Sequence, residues 1–201
     1  MKVLTVVLAI CMLSVIGCSN DNDNDALYDA IPVPTLIPPT PTPTPIPLYK
    51  KAEMTEAEIV ALNKAESARL LWDYKTVVEL LTPLAENGHP EAQYWLGKMY
   101  ADGNGVPQHD KTAVYWYTFS AEQGNAKAQF ELGNMYAYGK GIGFIAGEPL
   151  LYAHMWFNIA NSQGGSGQLR MEQVELEMTA AEIARAQDLA AECFAKEFKG
   201  C

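Results

Sequence analysis

Residues 88–164 contain one pattern twice in tandem, and this repetition constrains the fold more than any single residue does. A period of this size is typical of a helical solenoid, in which each unit buries its apolar face by stacking on a neighbour. Stacked hairpins form surfaces more readily than reaction centres, so the pattern favours a binding scaffold. The first halves recur at a shift of 36 and the second halves at a shift of 40, through the pairs Ala92/Ala128, Gln93/Gln129, Leu96/Leu132, Gly97/Gly133, Met99/Met135, Tyr100/Tyr136, Ala101/Ala137, Gly103/Gly139, Gly105/Gly141, Ala113/Ala153, Trp116/Trp156, Gln123/Gln163 and Gly124/Gly164.

Each unit has the pattern of a helix hairpin. Ala92, Leu96 and Tyr100 fall at i, i+4 and i+8, which is one stripe of a helix. Gly97 beside that stripe indicates close helix approach, because a helical glycine costs about 1 kcal/mol against alanine and packing must recover it. Glycines at 103 and 105 end the helix, since glycine readily adopts positive φ. We therefore predict an all-α fold, a right-handed α-solenoid of stacked antiparallel hairpins with a C-terminal capping helix.

The N-terminus has the pattern of an export signal. Lys2 precedes an apolar run over 3–16, which is too short to span a bilayer stably and suits a signal-peptide core. The following Val15-Ile16-Gly17-Cys18 resembles the lipobox of bacterial lipoproteins, and the resemblance implies lipidation at Cys18. Several acyl chains would hold the protein on a membrane, and Ser19 after the cysteine favours the outer membrane, facing the periplasm. The alternative is an ordinary cleaved signal with a chance cysteine.

Residues 19–48 are expected to form a tether. Residues 19–25 are all Ser, Asn and Asp, and residues 32–47 carry eight prolines with interleaved threonines. Proline fixes φ and cannot donate a backbone hydrogen bond, so this stretch favours an extended polyproline II rod. At about 3.1 Å per residue it would hold the folded part roughly 50 Å from the bilayer. Such segments can also act as ligands for aromatic grooves.

The net charge limits the possible partners, and the cysteines indicate a candidate disulfide. Loss of the signal would remove Lys2 and leave 13 basic and 24 acidic side chains, a formal charge of −11. This balance disfavours nucleic acid as a partner and leaves membrane attachment to the lipid. Cys193 and Cys201 would remain in an oxidising compartment as a candidate disulfide. A continuous helix would separate them by about 12 Å, too far for a bridge, whereas Gly200 could let the chain turn back, so both states stay open.

The spacing Ala-x3-Leu-Gly-x2-Tyr-x2-Gly-x-Gly-Val from Ala92, followed by Ala-x2-Trp-x4-Ala from Ala113, resembles the Sel-one-like repeat (SLR) family, which is related to the tetratricopeptide repeats. The resemblance covers about residues 55–198. The second unit departs from the pattern in a connector over 142–149 that is four residues longer and either exposes or packs Phe144 and Ile145. Residues 165–177 lack the Leu-Gly-Tyr core, which is typical of a solenoid cap. Thr55 with Glu58, and Thr179 with Glu182, predict capping boxes.

These observations divide the chain into six segments. They are a lipoprotein signal peptide over 1–18, the tether over 19–48, a first partial helical hairpin over 49–87, a repeat over 88–123, a repeat with a lengthened connector over 124–163, and a degenerate capping hairpin over 164–201.

The resemblance also implies a ligand site. In tetratricopeptide relatives the groove is lined by first-helix residues that lie off the packing stripe. Tyr94 and Phe130 occupy the same place in successive units, and two aromatic rings suit an extended peptide. The alternative is that both rings pack between neighbouring repeats. The predicted groove residues are Glu91, Tyr94, Lys98, Lys127, Phe130, Asn134 and Tyr138, with Ala101 and Ala137.

No catalytic, phosphate-binding or metal-binding motif is present in the sequence. His89, His109 and His154 are scattered, so we expect no metal, and nothing implies a cofactor. The alternating Gly139, Gly141 and Gly143 fit a turn. The four tryptophans, Trp72, Trp95, Trp116 and Trp156, are expected to pack.

The prediction is a non-enzymatic, membrane-anchored adaptor of the cell envelope that binds an unidentified envelope protein or peptide. One alternative is a cell-wall-active enzyme or ligand binder like the cysteine-rich SLR proteins with β-lactam hydrolysis. Those carry a cysteine pair in each repeat, whereas here no cysteine lies between Cys18 and Cys193. The other alternative is a surface-exposed colonisation protein.

Overall fold

The computed structural model describes residues 54–142 and 148–201, and in these ranges every regular element is an α-helix. This confirms the all-α prediction. The predicted signal peptide, Cys18, the tether, and Phe144 and Ile145 of the connector lie outside the described residues. Among the described helices, none is both long and apolar enough to cross a membrane. The helices are α1 (Glu56–Leu70), α2 (Tyr74–Glu86), α3 (Pro90–Asp102), α4 (Asp110–Ala121), α5 (Ala126–Ala137), α6 (Pro149–Ser162), α7 (Gln168–Glu175) and α8 (Ala180–Ala195).

Both predicted capping boxes are confirmed. At α1 the Thr55 side chain accepts from the Glu58 backbone N–H, and the Glu58 carboxylate accepts from the Thr55 backbone N–H. The same reciprocal pair joins Thr179 and Glu182 at α8. Each box satisfies donors that a helix N-terminus otherwise leaves without partners. The two boxes therefore fix where the first and last described helices begin.

The two helices of each repeat hairpin approach each other closely at a glycine in the first helix. A Cβ atom at Gly97 in α3 would lie 2.7 Å from Cδ1 of Tyr117 in α4, and one at Gly133 in α5 would lie 2.5 Å from Cε1 of Phe157 in α6. Real Cβ contacts are longer, so an aromatic ring occupies the place of the missing side chain in both hairpins. The predicted close approach of the helices at these glycines is confirmed.

Successive hairpins touch through a second pair of glycines. Gly105 has φ +74°, and a Cβ atom there would lie 2.5 Å from the carbonyl oxygen of Tyr74, at the start of α2. Thirty-six residues later Gly141, with φ +67°, abuts the backbone of Asp110 at the start of α4 in the same way. The predicted turn role of Gly141 is thus confirmed, and the contact recurs with the repeat.

The core follows the hairpins as three connected layers of buried side chains. Trp116 and Trp156 occupy equivalent places in two of them, with 8% and 3% of their surfaces exposed, as predicted from the repeat. Such repeated layers without strands are those of an α-solenoid. The first layer includes Val77, Leu81 and Leu96, the second includes Tyr117, Leu132 and Ile159, and the third consists of Ala153, Phe157 and Val174.

The C-terminal segment packs on α6. Helix α7 covers Phe157 through Val174, and α8 contributes Ala190 and Cys193 to the layer of Ile159. After α8 the chain turns back, and Cys193 and Cys201 form a disulfide with their Cα atoms 5.5 Å apart. Gly200 then donates its backbone N–H to the Glu122 carboxylate at 3.0 Å. The chain reverses through Glu197, Phe198 and Gly200, which all have positive φ. Of the two states that the sequence left open, the structure therefore shows the bridged one.

The turn between α1 and α2 contains Trp72, which was expected to pack against other residues. The Asp73 N–H donates to Ala68 O and the Trp72 N–H to Arg69 O, which places Trp72 at the position after the helix where glycine is usual. Its φ of +62° costs a side-chain-bearing residue about 1–2 kcal/mol. The side chain is 78% exposed. The prediction that Trp72 packs is wrong, because this left-handed turn directs the ring outward.

Candidate functional site

A cavity of about 230 Å³ opens between α1, α2 and α3. Its floor is aliphatic, because Ala65, Val77 and Leu81 are buried there. Polar and aromatic groups surround the opening. We call this cavity and its rim the Trp95 groove; its lining residues are Leu62, Asn63, Ala65, Glu66, Arg69, Val77, Leu81, Glu91 and Trp95.

Arg69 of α1 forms one wall of the groove. Its guanidinium lies 4.9 Å from the centre of the Trp95 ring, a cation–π arrangement between α1 and α3. The same group donates from Nε to Oε2 of Glu66 at 2.7 Å and from Nη2 to Oε1 at 2.5 Å. A bidentate ion pair holds the guanidinium plane in a fixed direction. Arg69 is therefore oriented over the indole.

Glu91 joins α3 to α5 at the opposite wall. Its carboxylate accepts from Nε1 of Trp95 at 3.2 Å, from Nζ of Lys127 at 3.0 Å and from Nδ2 of Asn125 at 3.3 Å. The first bond fixes the edge of the Trp95 ring, and the other two come from the following repeat. Glu91 thus links the groove to the next hairpin.

The charges of the groove are held ionised. The hydrogen bonds with Arg69 lower the pKa of Glu66, and the same pair raises the pKa of Arg69. Burial, together with the negative charges of Glu131 and Glu91, raises the pKa of Tyr94 to about 12. At neutral pH Glu66 and Arg69 are therefore charged, and the phenol of Tyr94 is neutral.

Three of the seven predicted groove residues come together next to this cavity. Glu91 lines it, and the ammonium of Lys127 lies 5.6 Å from the centre of the Tyr94 ring as well as on Glu91. Tyr94 itself is only 8% exposed and packs against Trp95 and Tyr117, with ring centres 5.1 Å and 6.1 Å away. Tyr94 therefore packs within its own hairpin and supports Trp95, at the wall of the groove, from behind.

The other four predicted residues lie elsewhere on the repeats. Lys98 pairs with Asp102 at 3.1 Å within α3, and Asn134 donates to Glu131 at 3.1 Å within α5. Phe130 is half-buried with its ring centre 5.6 Å from that of Phe157. Tyr138 is exposed and accepts a hydrogen bond of 2.7 Å from Arg170 of α7. Peptide binding by any of the seven stays a prediction.

Arg69, Glu66 and Trp95 were absent from the sequence-based prediction of the groove. Trp95 does pack, as predicted, since it is partly buried against two core layers, but its ring also forms the rim of the cavity. The Glu66–Arg69 spacing of three residues was a visible sign of an oriented pair on one helix face. Its position beside Trp95 depends on how α1 packs on α3, which the repeat pattern does not specify.

The three histidines have structural roles. His89 and His109 precede α3 and α4, and each accepts a backbone N–H of the first turn through Nδ1. His154 of α6 is fully buried, and its Nε2 lies 2.8 Å from the Glu175 carboxylate of α7. In the part of the chain that the structure describes, no three His, Cys, Asp or Glu side chains are grouped to hold a metal ion.

The fold and the groove define a helical-repeat protein with a surface cleft. The Sel1 repeat family model matches residues 90–125 and 126–165. The chain therefore contains two Sel1 repeats, which cover α3 to α6. The two matched segments overlap the two repeats predicted from the sequence. A search of curated proteins finds no match.

Solved structures show the same fold. A protective antigen of uropathogenic Escherichia coli strains displaying an SLR fold is 26% identical, with a TM-score of 0.64 over 73% of this chain and 32% of the antigen. A Sel1 repeat protein from Oxalobacter formigenes is 28% identical, with a TM-score of 0.51 over 65% of this chain and 54% of its own. The chain thus spans about a third and about half of these two proteins. Sel1 repeats generally mediate protein–protein interactions, and the SLR fold is typically a non-catalytic scaffold.

Proposed function

We propose that this protein is a lipid-anchored adaptor of the bacterial cell envelope that binds a peptide segment of a partner protein in the Trp95 groove. The observation that carries the proposal is an indole held in a fixed position beside an aliphatic cavity. Arg69 covers one face of this indole, and Glu91 accepts its N–H. Tryptophan and arginine are the residues most enriched at binding hot spots.

The size of the cavity favours a side chain over a whole small molecule. Pockets for drug-sized ligands have volumes of about 300–1,000 Å³, and this cavity has about 230 Å³. An apolar side chain of the partner would lie on Val77 and Leu81. The partner's backbone and polar groups would meet the rim at Asn63, Glu66 and Glu91, which are polar and at least partly exposed. This combination fits a short segment with one apolar anchor.

A photo-crosslinking amino acid at Asn63 tests the groove, because Asn63 is exposed and lines the cavity. The same amino acid at Glu192, exposed on α8, is the positional control. Irradiated cells should give adducts from position 63 that are absent from position 192. Identical adducts from both positions would contradict a specific groove.

Arg69→Ala then tests the rim without disturbing the core. The matched control is Arg185→Ala, which removes another surface ion pair, that of Arg185 with Glu148. We expect Arg69→Ala to weaken capture of the position-63 partner by about tenfold or more, since a hot-spot residue contributes 2 kcal/mol or more. Arg185→Ala should leave capture unchanged. Equal effects of the two substitutions would exclude Arg69 from binding.

The lipid anchor is tested separately. The lipobox-like sequence ending at Cys18 supports it, so labelled palmitate should mark the wild type and not Cys18→Ala. Equal labelling of the two proteins would remove the membrane anchor from the proposal. The Trp95 groove would remain, because its test does not depend on lipidation.

A further inference from the structure

Three consecutive apolar side chains are exposed where α1 meets α2. Leu70, Leu71 and Trp72 are 65%, 78% and 78% exposed, and we call them the apolar turn. Their exposure is not an incidental property of a surface helix, because the three are contiguous and end in the largest apolar side chain. Clustered exposed apolar groups indicate a contact surface.

The backbone of the turn does not require a tryptophan. Trp72 has φ +62°, a conformation that glycine adopts without strain. The ring lies edge-on to Tyr74 with the centres 6.0 Å apart, yet most of its surface remains exposed. A residue that is unfavourable for the turn and contributes little to the core points to a role outside the folded chain.

The charge around the turn differs from that of the rest of the protein. Residues 63–75 contain three basic and two acidic side chains, the basic ones being Lys64, Arg69 and Lys75. Residues 76–201 contain eight basic and fifteen acidic side chains. Residues 63–75 thus carry a net charge of +1, in spite of Glu66 and Asp73, on an otherwise acidic protein, and this is the sign that anionic lipid headgroups attract.

We propose that the apolar turn inserts into the interfacial region of a lipid bilayer, so that the protein contacts the membrane through a second point besides its lipid anchor. This inference rests on the proposed anchor. Tryptophan is enriched at the level of the headgroups, and apolar side chains with basic neighbours bury about 5–10 Å into that boundary. Leu70 and Leu71 supply the apolar part, and Lys64 and Lys75, which lie near the turn in the sequence, supply the positive charge.

The chain outside the described residues allows this contact. Residues 19–53 separate the anchor cysteine from α1, and at roughly 3.3 Å per extended residue they span up to about 115 Å. The 15 residues of α1 add only about 22 Å between its start and the turn. The distance of roughly 50 Å predicted for the proline-rich rod is that of a rod standing upright on the bilayer. A rod that tilts about the chain next to Cys18 brings the turn within reach of the membrane that holds this cysteine.

A second copy of the chain fits the apolar turn less well. A standard protein interface uses about 20–30 residues on each side, whereas the turn offers three. Two copies would also bring together proteins with a sequence charge of −10 each. A bilayer needs no complementary shape, and its anionic headgroups are opposite in charge to Lys64 and Lys75 near the turn.

The test uses the full-length lipidated protein in vesicles of phosphatidylethanolamine and phosphatidylglycerol at about 3:1, with and without bromine on the acyl chains near the headgroups. Bromine quenches tryptophan emission at contact distance. Trp72 is one of four tryptophans, so we expect brominated vesicles to remove up to about a quarter of the wild-type emission. Trp72→Phe should reduce that loss at least threefold, and so should Leu70→Ser combined with Leu71→Ser. Leu176→Ser, which changes another strongly exposed leucine, should leave it as in the wild type.

Each outcome decides the proposal. Equal loss of emission in the wild type and Trp72→Phe overturns it, and so does a Trp72-dependent dimer in detergent or a Trp72-dependent complex with an envelope protein that forms without lipid. Vesicle flotation separates the two membrane claims. If the protein floats but shows no Trp72-dependent quenching, only the membrane contact of the apolar turn is disproved. If the protein does not float, both the lipid anchor and the contact of the turn are disproved.

Discussion

The side-chain amide of Gln123 donates a hydrogen bond of 2.7 Å to the side-chain oxygen of Gln93, thirty residues earlier in the chain. Gln93 is fully buried and donates in turn to Ala85 O at 3.1 Å, so the pair connects α2, α3 and the end of α4. The next repeat has the same relay, in which Gln163 donates to Gln129 and Gln129 to Ala121 O. Polar side chains thus tie each hairpin to the one before it.

Gln123→Leu should lower the free energy of unfolding by about 1–3 kcal/mol, because the buried oxygen of Gln93 would lose a donor. Chemical denaturation measures this. Gln168→Leu, which removes an exposed pair with Glu172, should stay within about 0.5 kcal/mol of the wild type. The double change of Gln93 and Gln123 to Leu should cost less than the sum of the single changes. Full additivity would show that the two amides act independently.

Gly133→Val should destabilise the protein by about 1–3 kcal/mol through overpacking, since its Cβ atom would meet the Phe157 ring. A smaller side chain in place of the Phe157 ring should relieve the clash. The cost of Gly133→Val in a Phe157→Leu background should therefore be clearly below its cost in the wild type, as measured by thermal and chemical unfolding. The same cost in both backgrounds would place the strain somewhere other than at Phe157.

Cys201→Ser should lower stability by about 2–3 kcal/mol, the chain-entropy value for a short loop such as that from Cys193 to Cys201. The matched experiment is to reduce the wild type, which should bring its melting temperature to that of the variant. A reductant should leave the variant unchanged. A wild type that does not respond to reduction would show that the bridge does not form in solution.

The stability of the protein should fall on mild acidification through His89. Burial lowers the pKa of this imidazole below its usual 6.5, although the charges of Glu58 and Glu91 act in the opposite direction. The unfolded chain then binds more protons, so stability is constant above about pH 6.5 and decreases as the pH falls toward the folded pKa. His89→Asn keeps an N-cap acceptor without a titrating ring. Unfolding between pH 7 and 5 should depend less on pH in the variant, and an unchanged slope would exclude His89 as the cause.

The features that recur in the sequence were the predictable ones. Gly97 and Gly133 mark helix contacts because a helical glycine is costly unless packing requires it, and Thr55 and Thr179 mark helix starts because capping is a local interaction. The pairing of Arg69 with Trp95 was not predictable in the same way. It depends on the position of α1, which precedes the matched repeats, and no repeated residue reports that position.

The sequence also did not predict which aromatic side chains outside the packing stripe are buried and which are exposed. Tyr94 lies beside the stripe, yet it is buried because Tyr117 fills the space that Gly97 leaves and brings the two rings together. Tryptophan is a residue type that usually packs in a core, yet Trp72 is exposed to solvent because its own left-handed backbone conformation between α1 and α2 directs the ring outward. Both outcomes depend on local geometry, namely the close helix approach at Gly97 and the positive φ of Trp72, which the repeat pattern does not specify.

Gly105 packs against the Tyr74 carbonyl without lining the Trp95 groove. This contact sets how closely the loop after α3 approaches the start of α2, and Val77 and Leu81 of α2 form the floor of the groove. A side chain at position 105 would meet the Tyr74 backbone and shift the start of α2, so a residue that does not line the groove also influences its width. For the proposed adaptor, selection on what the groove recognises can thus act at Gly105 as well as on the rim, and a change of partner can arise there with every contacting side chain retained.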